Sequence, residues 1–141
     1  MTKKLLLCLA FPALLALPPA ASGAEATLEV RFRDATLTAE VAQTAEELKH
    51  GLMGRESLPE GRGMLFVMPR PDSWCMWMKG TSIPLSVAFI LEDGTVSSIV
   101  DEMKPFSLSA RCAREPVSYA LEARKGWFAR HGVRPGDKAR F

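Results

Sequence analysis

The chain has 141 residues, of which 48% are hydrophobic and 24% charged, so it is long enough for one folded domain and too short for two. Its 18 basic and 16 acidic residues give a formal charge of only +2. Because so small a charge exerts no overall attraction on phosphate backbones or anionic lipid, nucleic acid is not expected as a partner.

The N-terminus has the pattern of a secretory signal. Lys3 and Lys4 precede an apolar run over residues 5–17, and small residues follow up to Ala24. The run is shorter than the roughly 20 residues that a membrane span needs. We therefore expect residues 1–24 to be removed, with cleavage after Ala26 as the alternative. Residues 25–141 should form a single β-rich domain that is periplasmic or secreted and has no membrane span. Cleavage after Ala24 removes two of the 18 basic residues and no acid, which leaves 16 of each sign.

A hairpin and a short helix are predicted next. Apolar and polar residues alternate within 28–42, interrupted by a turn at Asp34, which is typical of two half-exposed strands. Thr44 and Glu47 have the spacing of a capping box, in which each side chain accepts a backbone N–H of the other residue. The helix that this box begins should end at Gly51 or Gly54.

The middle of the chain contains further strand patterns. Residues 63–68 form a continuous apolar run, which predicts a strand in the middle of the sheet. Residues 85–91 and 96–103 flank Asp93-Gly94, a strong signal for a two-stranded hairpin.

Between these runs lies a segment rich in tryptophan and methionine, which we interpret as an interior strand. Because side chains alternate between the two faces of a strand, Trp74, Met76 and Met78 should share one face. Cys75, Trp77 and Lys79 should share the other.

The C-terminal third is less regular. Residues 105–115 read as a loop over one mouth of the domain, 117–123 as a strand, 126–132 as a single helical turn and 138–141 as a last strand. About seven short strands and one short helix predict a mainly β (β-rich α+β) domain that resembles a small barrel or sandwich.

Two cysteines, Cys75 and Cys112, remain after the predicted cleavage. An exported location would allow them to form a disulfide. Two separate half-buried thiols are equally consistent with the sequence.

Five blocks in this order resemble the signature of domain of unknown function family 192, a family of small bacterial and archaeal proteins that are often exported. The blocks are Gly51-Leu52-Met53-Gly54-Arg55, Gly63-Met64-Leu65-Phe66, Trp77 to Leu85, Leu121-Glu122 and Gly136-Asp137. The resemblance spans about Ala39 to Phe141 and implies a compact β-rich domain without an assigned activity. Two positions depart from the pattern: the family usually has Asn at Gly80 and Asp at Ser86.

The first candidate site is a pocket for a small anionic ligand or a peptide. A guanidinium and an ammonium group can hold a carboxylate or phosphate, and an indole ring can form an apolar wall beside them. The resemblance places the candidate residues in its most distinctive blocks; they are Arg55, Trp77, Lys79, Thr81, Glu122 and Asp137. The alternative is structural, with Arg55 and Lys79 paired to Glu122, Asp137 or Glu40.

The second candidate is a copper site. Thioether and thiolate sulfurs suit Cu(I), and Trp74, Met76 and Met78 resemble the tryptophan–methionine arrangement of small periplasmic copper chaperones, with Cys75 as a further ligand. Methionines at alternating strand positions also commonly fill gaps in a core, so the alternative interpretation is that these side chains serve packing alone.

Catalysis is the third hypothesis. Cys75 or Cys112 could act with His50 or His131 as nucleophile and base, but none of the usual catalytic motifs occurs in the sequence. We therefore expect a non-catalytic binding or accessory module without a cofactor, whose partner is a small ligand or a protein. A periplasmic Cu(I)-binding protein is the alternative.

Overall fold

Eight strands in two sheets and two short helices form residues 26–141, the part of the chain that this computed structural model describes. The strands are β1 (Thr27–Arg31), β2 (Thr36–Ala42), β3 (Arg62–Asp72), β4 (Cys75–Met76), β5 (Leu85–Ile90), β6 (Val96–Met103), β7 (Arg111–Cys112) and β8 (Val117–Arg124). The helices are α1 (Ala45–His50) and α2 (Trp127–Arg130). The predicted signal peptide and its cleavage after Ala24 lie outside the described residues.

Six strands form the large sheet in the order β1-β2-β3-β8-β5-β6, and β4 pairs with β7 in a second, two-stranded sheet. This confirms the β-rich class and the central position of the 63–68 run, but the sheet does not close into a barrel. All pairs are antiparallel except β2 and β3, which run parallel. The sequence analysis missed this single β-α-β unit because parallel pairing depends on a crossover, here through α1, that leaves no signal in either strand.

Apolar side chains cover both faces of the large sheet. Since neighbouring residues on a strand point to opposite faces, Leu65 packs with Trp127 and Phe128 in one cluster, whereas Met64 and Phe66 belong to the other. All six residues of β5 are buried for this reason. We call the side that carries Met64 and Phe66 the α1 face.

Helix α1 begins and ends as predicted. The Thr44 hydroxyl accepts the Glu47 N–H over 3.2 Å, and the Glu47 carboxylate accepts the Thr44 N–H over 2.9 Å. Hydrogen bonds from the backbone of Gln43 and Thr44 hold the pKa of Glu47 below its ordinary value. The helix ends at Gly51, whose φ of +48° is a conformation that glycine adopts more readily than other residues.

The prediction of an interior strand for the tryptophan–methionine segment is wrong. Only Cys75 and Met76 are in a strand, β4, because this segment pairs outside the large sheet with β7, which is only two residues long. The expected alternation nevertheless holds: Met76 and Met78 are buried, whereas Trp77 is exposed.

Two smaller corrections concern the C-terminal third. The segment 105–115, predicted as an irregular loop, contains β7. Residues 138–141, predicted as a last strand, do not form one. Instead, isolated β-bridges join Arg140 to Arg31 and Lys138 to Thr95. The helical turn predicted at 126–132 is confirmed as α2. With α1, the described chain therefore has two short helices, whereas one was predicted.

Candidate functional site

Glu122 is a buried carboxyl group in the middle of the large sheet. It lies on β8 between Met64 of β3 and Val87 of β5, on the α1 face, and is 3% exposed. Within residues 26–141, no side chain or backbone group forms a hydrogen bond or ion pair with this carboxyl group. Removal from water raises the pKa of Glu122 to about 8.

The Glu122 carboxyl group borders a small cavity. Every fully enclosed polar side-chain atom in the described part of the chain has a hydrogen-bond partner, so the unpartnered oxygens of Glu122 must reach open space. That space is a cavity of about 30 Å³, lined also by residues 48–53 at the end of α1 and by Phe66, Trp77 and Thr81. A volume of this size accommodates a water molecule or the end group of a ligand, not a whole metabolite.

The proton on Glu122 determines the chemistry of the cavity. At neutral pH, below its pKa of about 8, the carboxyl group is mainly protonated and can donate a hydrogen bond. Thr81 is also buried, and its hydroxyl donates to the Lys79 carbonyl oxygen over 3.3 Å. Its oxygen lone pairs remain able to accept a hydrogen bond. The Glu122 carboxyl group therefore suits a group that accepts hydrogen bonds, whereas Thr81 can only accept one.

The rim of the cavity is aromatic and basic. Trp77 is 43% exposed, and the Lys79 ammonium nitrogen lies 5.3 Å from the centre of its ring, in a cation–π contact. Lys49 and His50, both exposed, line the cavity from the end of α1. The structure thus brings Trp77, Thr81 and Glu122 together, with Lys79 beside them.

Arg55 does not line this cavity but lies close to it. Its guanidinium forms a two-pronged ion pair with Glu40 of β2, with Nη1 2.9 Å from Oε1 and Nη2 bonded to Oε2, and the Arg62 guanidinium approaches Glu40 to 3.9 Å. Glu40 is 7% exposed, so this pair attaches the loop after α1 to the large sheet. The pair lines a neighbouring depression of about 600 Å³, which shares His50 and Gly51 with the Glu122 cavity.

Asp137 is also remote from the cavity. Its carboxylate accepts the Arg134 N–H over 2.7 Å in the turn that precedes the C-terminal bridges. It lines a different cavity, of about 370 Å³, with Phe32 and His131.

The cysteines and methionines proposed for copper and for catalysis make structural contacts. Cys75 and Cys112 form a disulfide with a sulfur–sulfur distance of 2.03 Å, so neither carries a thiolate in this form. Met76 and Met78 are buried in the α1-face core, and the Trp74 indole N–H donates to the Arg70 carbonyl oxygen over 2.9 Å. Within residues 26–141, histidine, cysteine and carboxylate side chains form no group of three that could hold a metal ion.

The sequence analysis did not predict that the end of α1 lines this cavity. Lys49 and His50 follow no ligand-binding pattern; the helix reaches Glu122 because it forms the crossover between the parallel strands β2 and β3. The one available signal was the resemblance block that begins at Gly51.

Residues 26–141 match the sequence profile of domain of unknown function family 192 (DUF192), described as "Uncharacterized ACR". The chain belongs to this family.

Two solved structures are similar to this DUF192 chain. A Sinorhizobium meliloti protein, named for a suspected role as a transcription regulator, is 36% identical with a TM-score of 0.81 and covers 85% of this chain and 97% of its own. A Novosphingobium aromaticivorans protein of unknown function is 30% identical with a TM-score of 0.78, over 92% of this chain and 94% of its own. No curated protein matches the chain.

The two departures from the DUF192 pattern have structural explanations. The buried Ser86 hydroxyl donates to the Asp101 carbonyl oxygen over 2.7 Å and accepts the Gly126 N–H over 2.8 Å, so it joins β5 to β6 and to the residue before α2; an aspartate there could make only the second of these bonds. Gly80 has a φ of +64°, which Asn also tolerates, and a Cβ there would make only ordinary contact with Met53, at 3.5 Å. Neither position lines the Glu122 cavity.

Neither helix of residues 26–141 has the length and apolarity that a membrane crossing requires.

Proposed function

We propose that this DUF192 chain is an exported, non-catalytic binding module whose site takes the acidic end group of a small molecule or peptide. The observation that carries the proposal is the Glu122 carboxyl group, which is 3% exposed, borders a cavity and has no partner among residues 26–141. A buried polar group without a partner is costly, so its retention favours a role in binding.

The charges around the cavity favour an anionic end group. The protonated Glu122 donates a hydrogen bond to the ligand, and two lysines, Lys49 and Lys79, are close to the entrance. An ionised Glu122 would instead repel an anion, so binding weakens as the pH rises through about 8. The body of the ligand lies against the exposed Trp77 ring, because the cavity of about 30 Å³ is too small to enclose it.

Export is supported by the signal-like pattern before Ala24 and by the Cys75–Cys112 disulfide, since disulfides persist mainly in oxidising compartments. We do not extend the regulator role in the name of the Sinorhizobium protein to this chain. Its predicted mature form carries 16 residues of each sign and so lacks the overall positive charge typical of DNA-binding domains.

Titration calorimetry with an N-acetylated dipeptide that has a free C-terminal carboxylate, and with acetate, tests the proposal. Both should bind at pH 6.5 and lose at least tenfold in affinity at pH 9, whereas the dipeptide amide should not bind. Glu122→Gln, which keeps an N–H donor and cannot ionise, should bind with little pH dependence; Glu122→Leu should not bind.

The matched control is Asp137→Asn, which removes a carboxylate at the other cavity and should bind like the unaltered chain. Equal binding by Glu122→Leu and the unaltered chain, or no binding of either carboxylate, would overturn the proposal.

A further inference from the structure

Two loops are joined into one unit beside the Glu122 cavity. Residues 73–83 and 104–114, which we call the paired loops, are connected by the β4–β7 pairing and by the disulfide. Three backbone hydrogen bonds add to this: Met78 N–H to Ser107 O at 3.0 Å, Phe106 N–H to Thr81 O at 3.0 Å and Ala113 N–H to Trp74 O at 2.8 Å. The two loops are therefore fixed relative to each other by covalent and hydrogen bonds.

The paired loops carry three of the four large apolar side chains that are exposed within residues 26–141. Trp77 is 43%, Phe106 63% and Leu108 68% exposed. The fourth, Phe141, packs edge-on against the Tyr119 ring at 4.9 Å. The exposed apolar surface of the described chain is thus concentrated at one place.

The conformation of Phe106 maintains this exposure. Phe106 is the one described residue other than glycine with a positive φ, +59°, a region that bulky L-residues rarely adopt. Hydrogen bonds from the Phe106 N–H to Thr81 O and from the Ser107 N–H to Lys104 O fix the backbone on both sides of the ring. The ring is therefore held in solvent by a constrained loop.

The same loops are strongly basic. They contain four cations, Lys79, Lys104, Arg111 and Arg114, and no aspartate or glutamate. All four are exposed, and none has an ion-pair partner within residues 26–141. Charges that nearly balance over the whole chain are therefore unevenly distributed, and the paired loops are cationic.

Acidic residues adjoin the paired loops, but several have partners. Asp72 accepts from the Arg70 guanidinium at 3.0 Å, Glu102 pairs with Lys125 at 3.0 Å, and Glu115 accepts from the Ser97 hydroxyl. Asp101 is exposed and is the acid that remains nearest in sequence. Within residues 26–141, Glu115 and Asp101 form no ion pair and keep their charge, so the four cations of the loops outnumber the neighbouring acids that could offset them by two to one.

We propose that the paired loops dock this chain on membranes that contain anionic phospholipid. Stable binding to a bilayer surface generally needs two signals, apolar insertion and attraction of basic residues to anionic headgroups, and this surface supplies both. The exposed ring of Trp77 suits the headgroup boundary, and Phe106 and Leu108 reach toward the acyl chains. Nucleic acid would use rings for base stacking, whereas Leu108, the most exposed of the three, has no π face.

Co-sedimentation of the chain without residues 1–24, purified with its disulfide intact, tests the proposal. The vesicles are phosphatidylcholine alone or phosphatidylcholine mixed with phosphatidylglycerol. Binding is expected only to the mixed vesicles and should fall as salt is added. Lys104→Glu/Arg111→Glu/Arg114→Glu should weaken it by about a hundredfold or more, since each lost cation accounts for about fivefold. Phe106→Ser/Leu108→Ser should weaken it by about tenfold or more.

The matched controls change residues whose neighbours in sequence pack on the other face of the large sheet. Arg33→Glu/Arg134→Glu/Arg140→Glu alters the net charge equally, and Phe141→Ser removes the fourth exposed apolar side chain; both should bind vesicles like the unaltered chain. Near-ultraviolet circular dichroism verifies that each variant is folded. Since Phe106 and Leu108 do not line the Glu122 cavity, dipeptide binding measured on Phe106→Ser/Leu108→Ser separates this proposal from the first.

Equal binding to both kinds of vesicle, or equal losses in loop and control variants, would overturn the proposal. So would a loop surface that binds a single-stranded oligonucleotide or a second copy of the chain but no vesicle.

Discussion

Glu122→Gln should remove a large pH dependence from the stability of this protein. In the unfolded chain the Glu122 carboxyl group has its ordinary pKa of 4.5, whereas burial raises the folded pKa to about 8. Between these values the unfolded state loses its proton and the folded state keeps it. The contribution of Glu122 to stability is therefore fully present below pH 4.5 and is lost as the pH rises toward 8, above which no further loss occurs.

The size of the effect follows from the two pKa values. A difference between 4.5 and about 8, at about 1.36 kcal/mol per unit, corresponds to about 5 kcal/mol. This is a large part of the roughly 5–15 kcal/mol that stabilises a typical domain. Glutamine has nearly the same shape and cannot ionise, so the variant should be less affected by alkaline pH than the unaltered chain.

Guanidinium unfolding followed by tryptophan fluorescence, at intervals from pH 4.5 to 9, measures this difference. The other titrating groups are common to both chains, so subtraction isolates Glu122. Glu56→Gln, at an exposed position, is the control and should show a difference that stays within about 0.5 kcal/mol at every pH. If the unaltered chain and Glu122→Gln differed by a constant amount over the whole range, the reasoning from burial would be refuted.

Three further predictions concern the residues around the cavity. Cys75→Ala/Cys112→Ala should cost about 2–4 kcal/mol of unfolding free energy in denaturant titrations, because the disulfide closes a separation of 37 residues; an unchanged midpoint would contradict this. Arg55→Ala should cost about 3 kcal/mol because it removes a main partner of the buried Glu40, while carboxylate binding at the Glu122 cavity persists; a stable variant that no longer binds would instead assign Arg55 to the ligand. Titration of the oxidised chain with Ag(I), a redox-inert substitute for Cu(I), should leave tryptophan fluorescence unchanged, whereas quenching that disappears in Met78→Ala would establish a soft-metal site.

Local signals in the sequence predicted the elements well. The alternation before Ala42, the capping box at Thr44 and the Asp93-Gly94 turn each depend on contacts between residues a few positions apart, and all three appear in the structure. The alternation of buried and exposed residues around Trp77 also holds, although its interpretation as an interior strand was wrong. Alternation reports which side chains face the core and not which strand lies alongside.

The candidate site was less predictable. Resemblance to DUF192 pointed to Trp77, Thr81 and Glu122, which the structure brings together. It pointed equally to Arg55, which pairs with Glu40 beside the cavity, and to Asp137, which lines a different cavity. Sequence blocks do not distinguish residues that share a cavity from residues that form ion pairs or turns in other parts of the fold.

The sequence by itself determined the β-rich class, the helix caps and the family, because these depend on local backbone preferences and on the order of short blocks. Only the tertiary structure decided that Glu122 is left without a partner beside a cavity and that Lys79 and Arg111 lie on one surface, although the charges of the chain nearly cancel. The reason is physical: burial and electric field depend on which strands pair and cross over, and the parallel β2–β3 unit and the disulfide join segments that are far apart along the chain.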